Sequence, residues 1–266
     1  MTNSLRHFRA LISIYLQDGL AYKASGFIWV LTDVSTAATM PIVLSAAAKG
    51  QSIGGFDSSS IAVYYLVMLF ITSFVQSHFM WEVAFEVKEG IFSSQIIRPV
   101  PYLQFMAARN LAWRMMRTMF FFPMFLILLW AYSGMIHSFQ LHISWVAIAA
   151  IVLGHLVSFF FVMAFAMLAL FLQEATSVFE LYYVPMLFLS GQLFPIALFP
   201  QWVQNISKIF PFYYTTGLPT EIVVGRISEA NAIPLLGVQL LWIVGSLLAF
   251  KWLFAKGTKQ YTGVGM

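Results

Sequence analysis

Apolar residues run along this chain in long, nearly unbroken stretches, with the polar residues gathered between them. A helix needs about 20 residues to cross a bilayer, at about 1.5 Å of rise per residue. Six stretches come near that length: Phe27–Ala48, Ile61–Trp81, Met115–Tyr132, Trp145–Leu172, Ser177–Leu198 and Ile233–Leu253. The fourth is long enough to tilt or to extend beyond the hydrocarbon. The fifth contains Pro185 and Gly191, which can kink or break it. Ahead of the first, Leu5, Phe8, Ile12 and Tyr15 recur at three- and four-residue spacing, while Arg6, Arg9, Ser13 and Gln17 follow another stripe. That pattern predicts an amphipathic helix in residues 1–26, lying in the interface with its cations toward lipid headgroups. An ordinary start to the first span is the plainer alternative. The fold predicted is an all-α integral membrane domain over residues 1–266, with six transmembrane helices.

Composition agrees. The chain is 61% hydrophobic and only 9% charged, where a soluble domain carries about a quarter charged residues. Too little polar surface exists to face water all round, so lipid must replace it. The absence of cysteine excludes disulfides, thiol catalysis and cysteine metal sites. No cleavable signal is expected, because Arg6, His7, Arg9, Asp18 and Lys23 interrupt the beginning of the chain.

Charge placement gives the spans a direction. With the N-terminus inside, 11 of the 14 Lys and Arg residues fall on the cytoplasmic side, leaving only Lys49, Lys208 and Arg226 outside. Two connections are richer than plain loops. Residues 82–110, on the cytoplasmic side, place Glu82, Glu86 and Glu89 on one helical face, and Gly90 can end that helix. A short apolar stripe of Ile91, Phe92, Ile96 and Ile97 then runs to Arg98-Pro99-Val100-Pro101, whose prolines stop any helix. This describes a small surface helix across the cytoplasmic end of the bundle. Residues 199–225, on the outer side, are apolar and aromatic but divided by Pro200, Pro211 and Pro219 into pieces too short to span. They predict a re-entrant helical hairpin that covers an outer mouth, with Trp202, Tyr213 and Tyr214 at the interface.

Charged residues inside spans are costly and draw functional readings. Asp33 and Glu180 lie within the first and fifth stretches, with Glu174 just before the fifth. They could form a cationic-substrate or proton site, or pair structurally with Lys23, Arg114 or Arg117. Arg114 and Arg117 sit one turn apart and either snorkel to phosphates or bind an anionic substrate head. His78 and His155 lack neighbours at ligand spacing, so no metal site is expected; His137 and His142 flank an outer loop and should be solvated. Thr72, Ser73, Gln76 and Ser77 offer polar contacts in the second stretch, which small polar residues also do in ordinary helix packing. The aromatic clusters Phe120–Phe122 and Phe159–Phe161 either line a path or face lipid.

The stretch EVKEGIFSSQIIRPVP, residues 86–101, resembles the coupling-helix region of permeases in the second class of bacterial ABC exporters (ABC-2 type). The stretch 189–225 resembles their outer signature, with LSGQLFPIALFPQWVQ, then PFYYTTGLP and Gly225. The interfacial helix and six-span layout also fit, so the likeness covers nearly the whole chain. The Gly90…Arg98-Pro99 pattern looks most like the permeases grouped with viologen-type drug exporters. The resemblance implies a single permease domain in the bacterial inner membrane, paired with a second permease copy or paralogue and two cytosolic ATPase subunits. It implies that Glu86, Gly90, Ile91, Phe92, Ile96, Ile97, Arg98 and Pro99 form the ATPase-coupling segment, and that Pro195, Pro200, Trp202, Pro211, Tyr213 and Tyr214 form the outer gate. ATP and Mg would be held by the partner, with no cofactor on this chain. Consistently, no Gly-Lys pair occurs, so no phosphate-cradling G-x-x-x-x-G-K-[ST] loop is present. The segment Leu189-Ser190-Gly191-Gln192 is expected to be a helix end and not a nucleotide motif.

Three classes of function remain in view. An export permease would move an amphipathic or hydrophobic molecule such as a drug, lipid or glycoconjugate. A secondary transporter would show inverted repeats and paired broken helices, and neither is visible in the sequence. An intramembrane lipid-modifying enzyme or protease would need clustered reactive groups at membrane depth, whereas Asp33 and Glu180 stand apart.

Overall fold

The computed structural model of the chain describes residues 2–21, 23–137, 140–172 and 175–262, and the described residues are helical without a strand. The helices are α1 (Thr2–Ala21), α2 (Lys23–Ala48), α3 (Ser58–Val75), α4 (Met80–Lys88), α5 (Ile91–Ile96), α6 (Tyr102–Tyr132), α7 (Trp145–Ala166), α8 (Ala175–Leu189), α9 (Gln201–Ser207), α10 (Leu218–Val223) and α11 (Glu229–Gln260). Among the described residues, five segments are long and apolar enough to cross a membrane: Gly26–Ala48, Ser58–Lys88, Tyr102–Tyr132, Trp145–Leu170 and Glu229–Gln260.

The fifth predicted stretch is shorter than expected. Instead of running over Ser177–Leu198, its helix α8 has 15 residues and stops at Leu189. That is about 22 Å of helix against about 30 Å of hydrocarbon. Gly191 ends it with a φ of 83°, and a Cβ there would lie 2.7 Å from the Tyr64 hydroxyl oxygen, so glycine is required twice over. Tyr64 and Tyr65 of α3 fix this turn by donating to the carbonyls of Gly191 at 2.9 Å and Leu193 at 2.6 Å.

Local chemistry sets the other ends. Asp57 caps α3: its carboxylate accepts from the Ser60 amide at 2.8 Å while Ser60 Oγ accepts from the Asp57 amide at 2.9 Å. These bonds hold the Asp57 carboxyl below its ordinary range. Gly90 adopts a φ of 74°, which lets α4 turn sharply into α5. Pro101 then precedes α6, which is longer than the predicted Met115–Tyr132 because its basic first half is helical too.

α3 is the centre of the bundle, touching α2, α6, α7 and α10. Elsewhere the apolar faces point outward, as a lipid-facing surface requires: Leu126, Ile127, Leu241 and Leu248 are all exposed. Trp130, Trp145 and Trp202 are exposed around the end of the bundle that carries α10, where amphipathic rings suit an interface. At the opposite end, α1 lies along α6. Phe8, Ile12 and Tyr15 are half-buried there, while Arg6, Arg9, Ser13 and Gln17 are exposed. The side chains of Leu5, His7 and Lys23, and all of Glu174, lie outside the described residues.

Candidate functional site

The second crossing segment is not one helix. α3 stops at Val75 and α4 starts at Met80, leaving an extended break whose residue Gln76 has a ψ of 136°. No proline causes this. A break within a membrane exposes carbonyls that lipid cannot satisfy, so protein must do it. Here Arg114 of α6 does. Its guanidinium donates to the carbonyls of Phe74, Val75 (2.9 Å) and Gln76 (3.1 Å), to Ser77 Oγ (3.1 Å) and to Asn110 Oδ1 (3.0 Å). Ser158 Oγ of α7 accepts from the Ser77 amide at 2.9 Å, and His155 Nδ1 lies 3.1 Å from the Val75 carbonyl. Arg114 therefore does not snorkel to phosphates as its sequence position suggested; it is buried as a cap on α3.

Arg117, one turn further along α6, is 4% exposed and forms a salt bridge with Asp33 of α2. This is one of the three pairings left open for Asp33. Glu180 is not brought to them: it sits exposed on α8.

Above the break lies a cavity of about 200 Å³ between α2, α3 and α8. Three helices turn their polar residues into it independently: Thr32, Asp33, Ser35 and Thr36 from α2, Thr72 and Gln76 from α3 and the break, and Tyr183 from α8. Gln192, just beyond α8, closes a ladder, donating to Gln76 Oε1 at 2.7 Å and Thr216 Oγ1 at 3.3 Å. Thr72 Oγ1 is buried without a partner in this wall. Polar groups converging at membrane depth mark a path or a ligand site.

The connection 190–228 starts at this cavity, where Gln192 and Leu193 line it. It holds the short helices expected, plus a π-helical turn over Tyr213–Gly217. Pro195 precedes a single 3₁₀ turn and Pro200 precedes α9, each fixing its entry angle. Trp202 is exposed as predicted for an interface residue, but Pro211, Tyr213 and Tyr214 are buried. Tyr213 and Tyr214 are therefore not interface anchors. Tyr213 donates to Glu221 Oε2 at 2.5 Å, and Tyr214 donates to the Lys208 carbonyl at 2.8 Å. Burial pushes the Glu221 carboxyl above its ordinary range, against the opposing pull of the Tyr213 bond. The turn packs so closely on α7 that a Cβ on Gly154 would meet the Thr215 carbonyl oxygen at 2.4 Å.

At the α5 end the residues expected to form a coupling segment divide into two sets. Ile91 (44% exposed), Ile97 (81%), Arg98 and Pro99 face outward. Phe92 is wholly buried against Tyr102 (5.3 Å between rings), Tyr261 (5.3 Å) and Phe254 (6.5 Å), and Ile96 is half-buried. Phe92 thus belongs to the chain's own core instead of an exposed stripe. Glu86 is buried too, in an ion pair of 2.6 Å with Arg109. Tyr261 also donates to the Val87 carbonyl at 3.3 Å. The helix that carries Phe254, α11, reaches the other end as well: Gln239 donates to the carbonyls of Ala150 in α7 at 2.9 Å and Tyr214 in the π-helical turn at 2.7 Å.

Asn110, Ser158, Gln192, Thr216, Glu221 and Gln239 were not singled out as site residues from the sequence. Asn110 and Gln239 carried a usable signal, being lone amides that need partners inside apolar helices.

Apolar crossing helices, with a partly polar cavity among the described residues, define a multi-pass, all-helical membrane protein. The chain belongs to a more particular group: the profile described as ABC-2 family transporter protein matches residues 34–265, so it is a member of that family. It is accordingly a permease, the transport component of an ABC transporter and not itself the catalyst, and membership implies association with ABC ATPase partners. No curated protein and no solved structure matches the chain.

Proposed function

We propose that this permease exports an amphipathic or hydrophobic molecule, driven by two cytosolic ATPase subunits that hold the ATP and Mg. The observation that carries the reading is the seat of α5: a rigid aromatic anchor at Phe92 on one side, with Ile91 and Ile97 bare on the other. Exposed aliphatic residues on a firmly held short helix suit a partner's cleft. α8 serves as the sixth crossing. Its start packs near α4 and its end is tied to Tyr64, so it passes from one end of the bundle toward the other despite its length. The connection after it then acts as a re-entrant hairpin and outer gate, built on Pro195, Pro200, Trp202, Pro211, Tyr213 and Tyr214. With 11 of 14 basic residues on the α5 side, both termini are cytoplasmic and the membrane is the bacterial inner membrane.

Thr32, Ser35 and Thr39 of α2 and Glu180 of α8 are exposed on this single chain at membrane depth. Lipid is a poor neighbour for them, which supports a second permease copy or paralogue facing the polar cavity, with Asp33 and Glu180 on the path.

The test is a double replacement of Ile91 and Ile97 by Asp in the permease co-expressed with its ATPase. Both side chains are exposed, so the melting temperature should hold. ATPase co-purification and ATP-driven efflux should be lost. Wild-type efflux from the double variant would remove the coupling assignment, and efflux driven by an ion gradient without ATPase would favour a secondary transporter.

A further inference from the structure

A second cavity, of about 180 Å³, lies on the other side of the break in the second crossing segment, beneath α1. Its walls carry charges of both signs: Arg109, Arg114 and Arg117 on α6, with Asp18 on α1 and Glu82 on α4. The rings of Tyr15, Trp29 and Trp113 complete it. Gln76 and His78 line this cavity and the central one alike, so the break is the wall between them.

Two of these cations are already paired, Arg109 with Glu86 and Arg117 with Asp33, but the other three charges are not. Among the described residues, Asp18 and Glu82 form no salt bridge. Every hydrogen bond from Arg114 goes to a neutral acceptor, so its charge has no carboxylate partner among the described residues. Arg117 is 4% exposed, and its Nε is buried without a partner. Asp33 meets the far side of this guanidinium, and the buried Nε donor left over is costly until a further acceptor completes it. The carboxylates and rings favour the reverse charge, since an ammonium is attracted to both. A purely anionic ligand would meet Asp18 and Glu82, and a purely cationic one would meet Arg114 and Arg117. A zwitterion meets both sets in register: the guanidiniums lie deep and the two carboxylates are exposed at the rim.

We propose that this cavity binds a phosphoamine headgroup, phosphate inward toward Arg114 and Arg117 and ammonium outward among Asp18, Glu82 and the rings. Its place beside the amphipathic α1 suits a phosphatidylethanolamine-type lipid, with the headgroup one wall away from the central polar cavity. A soluble phosphoamine shares the chemistry.

The experiment uses the full-length permease in detergent, without ATPase or ATP. Thermal stabilisation is titrated with phosphatidylethanolamine, phosphatidylglycerol, dodecyltrimethylammonium and free glycerophosphoethanolamine. Phosphatidylethanolamine should act at about tenfold lower concentration than phosphatidylglycerol or the cationic amphiphile, the size expected of two partly exposed charge contacts. Glycerophosphoethanolamine acting as well as the lipid identifies a soluble source; acting only weakly, it identifies the membrane. In an Asp18→Asn/Glu82→Gln variant the preference over phosphatidylglycerol should vanish while phosphatidylglycerol itself still binds. Equal response to all lipids, preference for the anion or the cation, or an undiminished preference in the variant overturns the assignment. Because neither ATP nor ATPase is present, these results stand apart from the export reading, and either can fail alone.

Discussion

Replacing Arg114 by Lys isolates what the guanidinium does at the break. The substitution keeps a buried positive charge, so the desolvation of a cation largely cancels between the two proteins. It removes the fork. Arg114 serves five acceptors: three backbone carbonyls, Ser77 Oγ and Asn110 Oδ1. An ammonium has three N–H donors on one atom and can serve three at most. Val75 retains His155 as a neighbour of its carbonyl, at 3.1 Å, but among the described residues the Phe74 and Gln76 carbonyls have no second side chain to turn to. An orphaned buried carbonyl costs about 1–3 kcal/mol, so the two together imply a loss of about 2–4 kcal/mol once relaxation is allowed. For a chain of this size that lowers the melting temperature by roughly 5–15 °C. A local readout is available as well, since the chain contains no cysteine and a single one at His78 is a unique label at the break. Maleimide should react several-fold faster in the Arg114→Lys background, because the freed carbonyls recruit water. A variant that melts within about 1 °C of its parent and labels at the same rate would show that the break is held by something other than this side chain.

Three further outcomes follow from the same contacts. The Ile91→Asp/Ile97→Asp double variant should lose its ATPase in a pull-down with an unchanged melting temperature. Gly154→Ala should cost about 1–3 kcal/mol in thermal unfolding, because the new Cβ meets a backbone oxygen at 2.4 Å, whereas Gly134→Ala, with nothing within 4 Å, should be neutral; equal effects would refute the packing assigned to the π-helical turn. For Glu221 the raised carboxyl means that the folded chain binds the proton more tightly than the unfolded chain. Its stability contribution is thus full below the ordinary carboxyl range and lost as pH rises through the folded value. The parent should gain melting temperature on acidification relative to Glu221→Gln, which keeps an acceptor for Tyr213; parallel pH profiles would contradict this.

The crossing segments were legible because long apolar runs have few other uses, and Gly90, Pro99 and Pro101 punctuated the α5 region where the structure does. The interior was less so. Arg109, Arg114 and Arg117 read as the approach to a span beginning at Met115, since a cation usually marks the end of hydrocarbon. They lie inside α6 instead, because a carboxylate from α4, carbonyls from a broken helix and a carboxylate from α2 meet them, and those partners are 23 to 84 residues away. Nothing local announced the break itself: Gln76-Ser77-His78 has neither proline nor glycine, and distant side chains, the Arg114 guanidinium foremost with Ser158 and His155, make an unwound segment tolerable. Phe92 and Ile97 are equally apolar in sequence, yet one is buried and the other bare, which depends on where Phe254 and Tyr261 arrive from α11.

That dependence on α11 has a consequence for biosynthesis. Ribosomes deliver the chain from its N-terminus, and α11 comes after every element it fastens. The aromatic seat of α5 lacks Phe254 and Tyr261, and the Tyr214 carbonyl lacks Gln239, until this last helix has been inserted. A nascent permease therefore has α5 and the π-helical turn unsecured until α11 is in place, and one event then locks both. Release of the chain before α11 would leave both segments without these contacts.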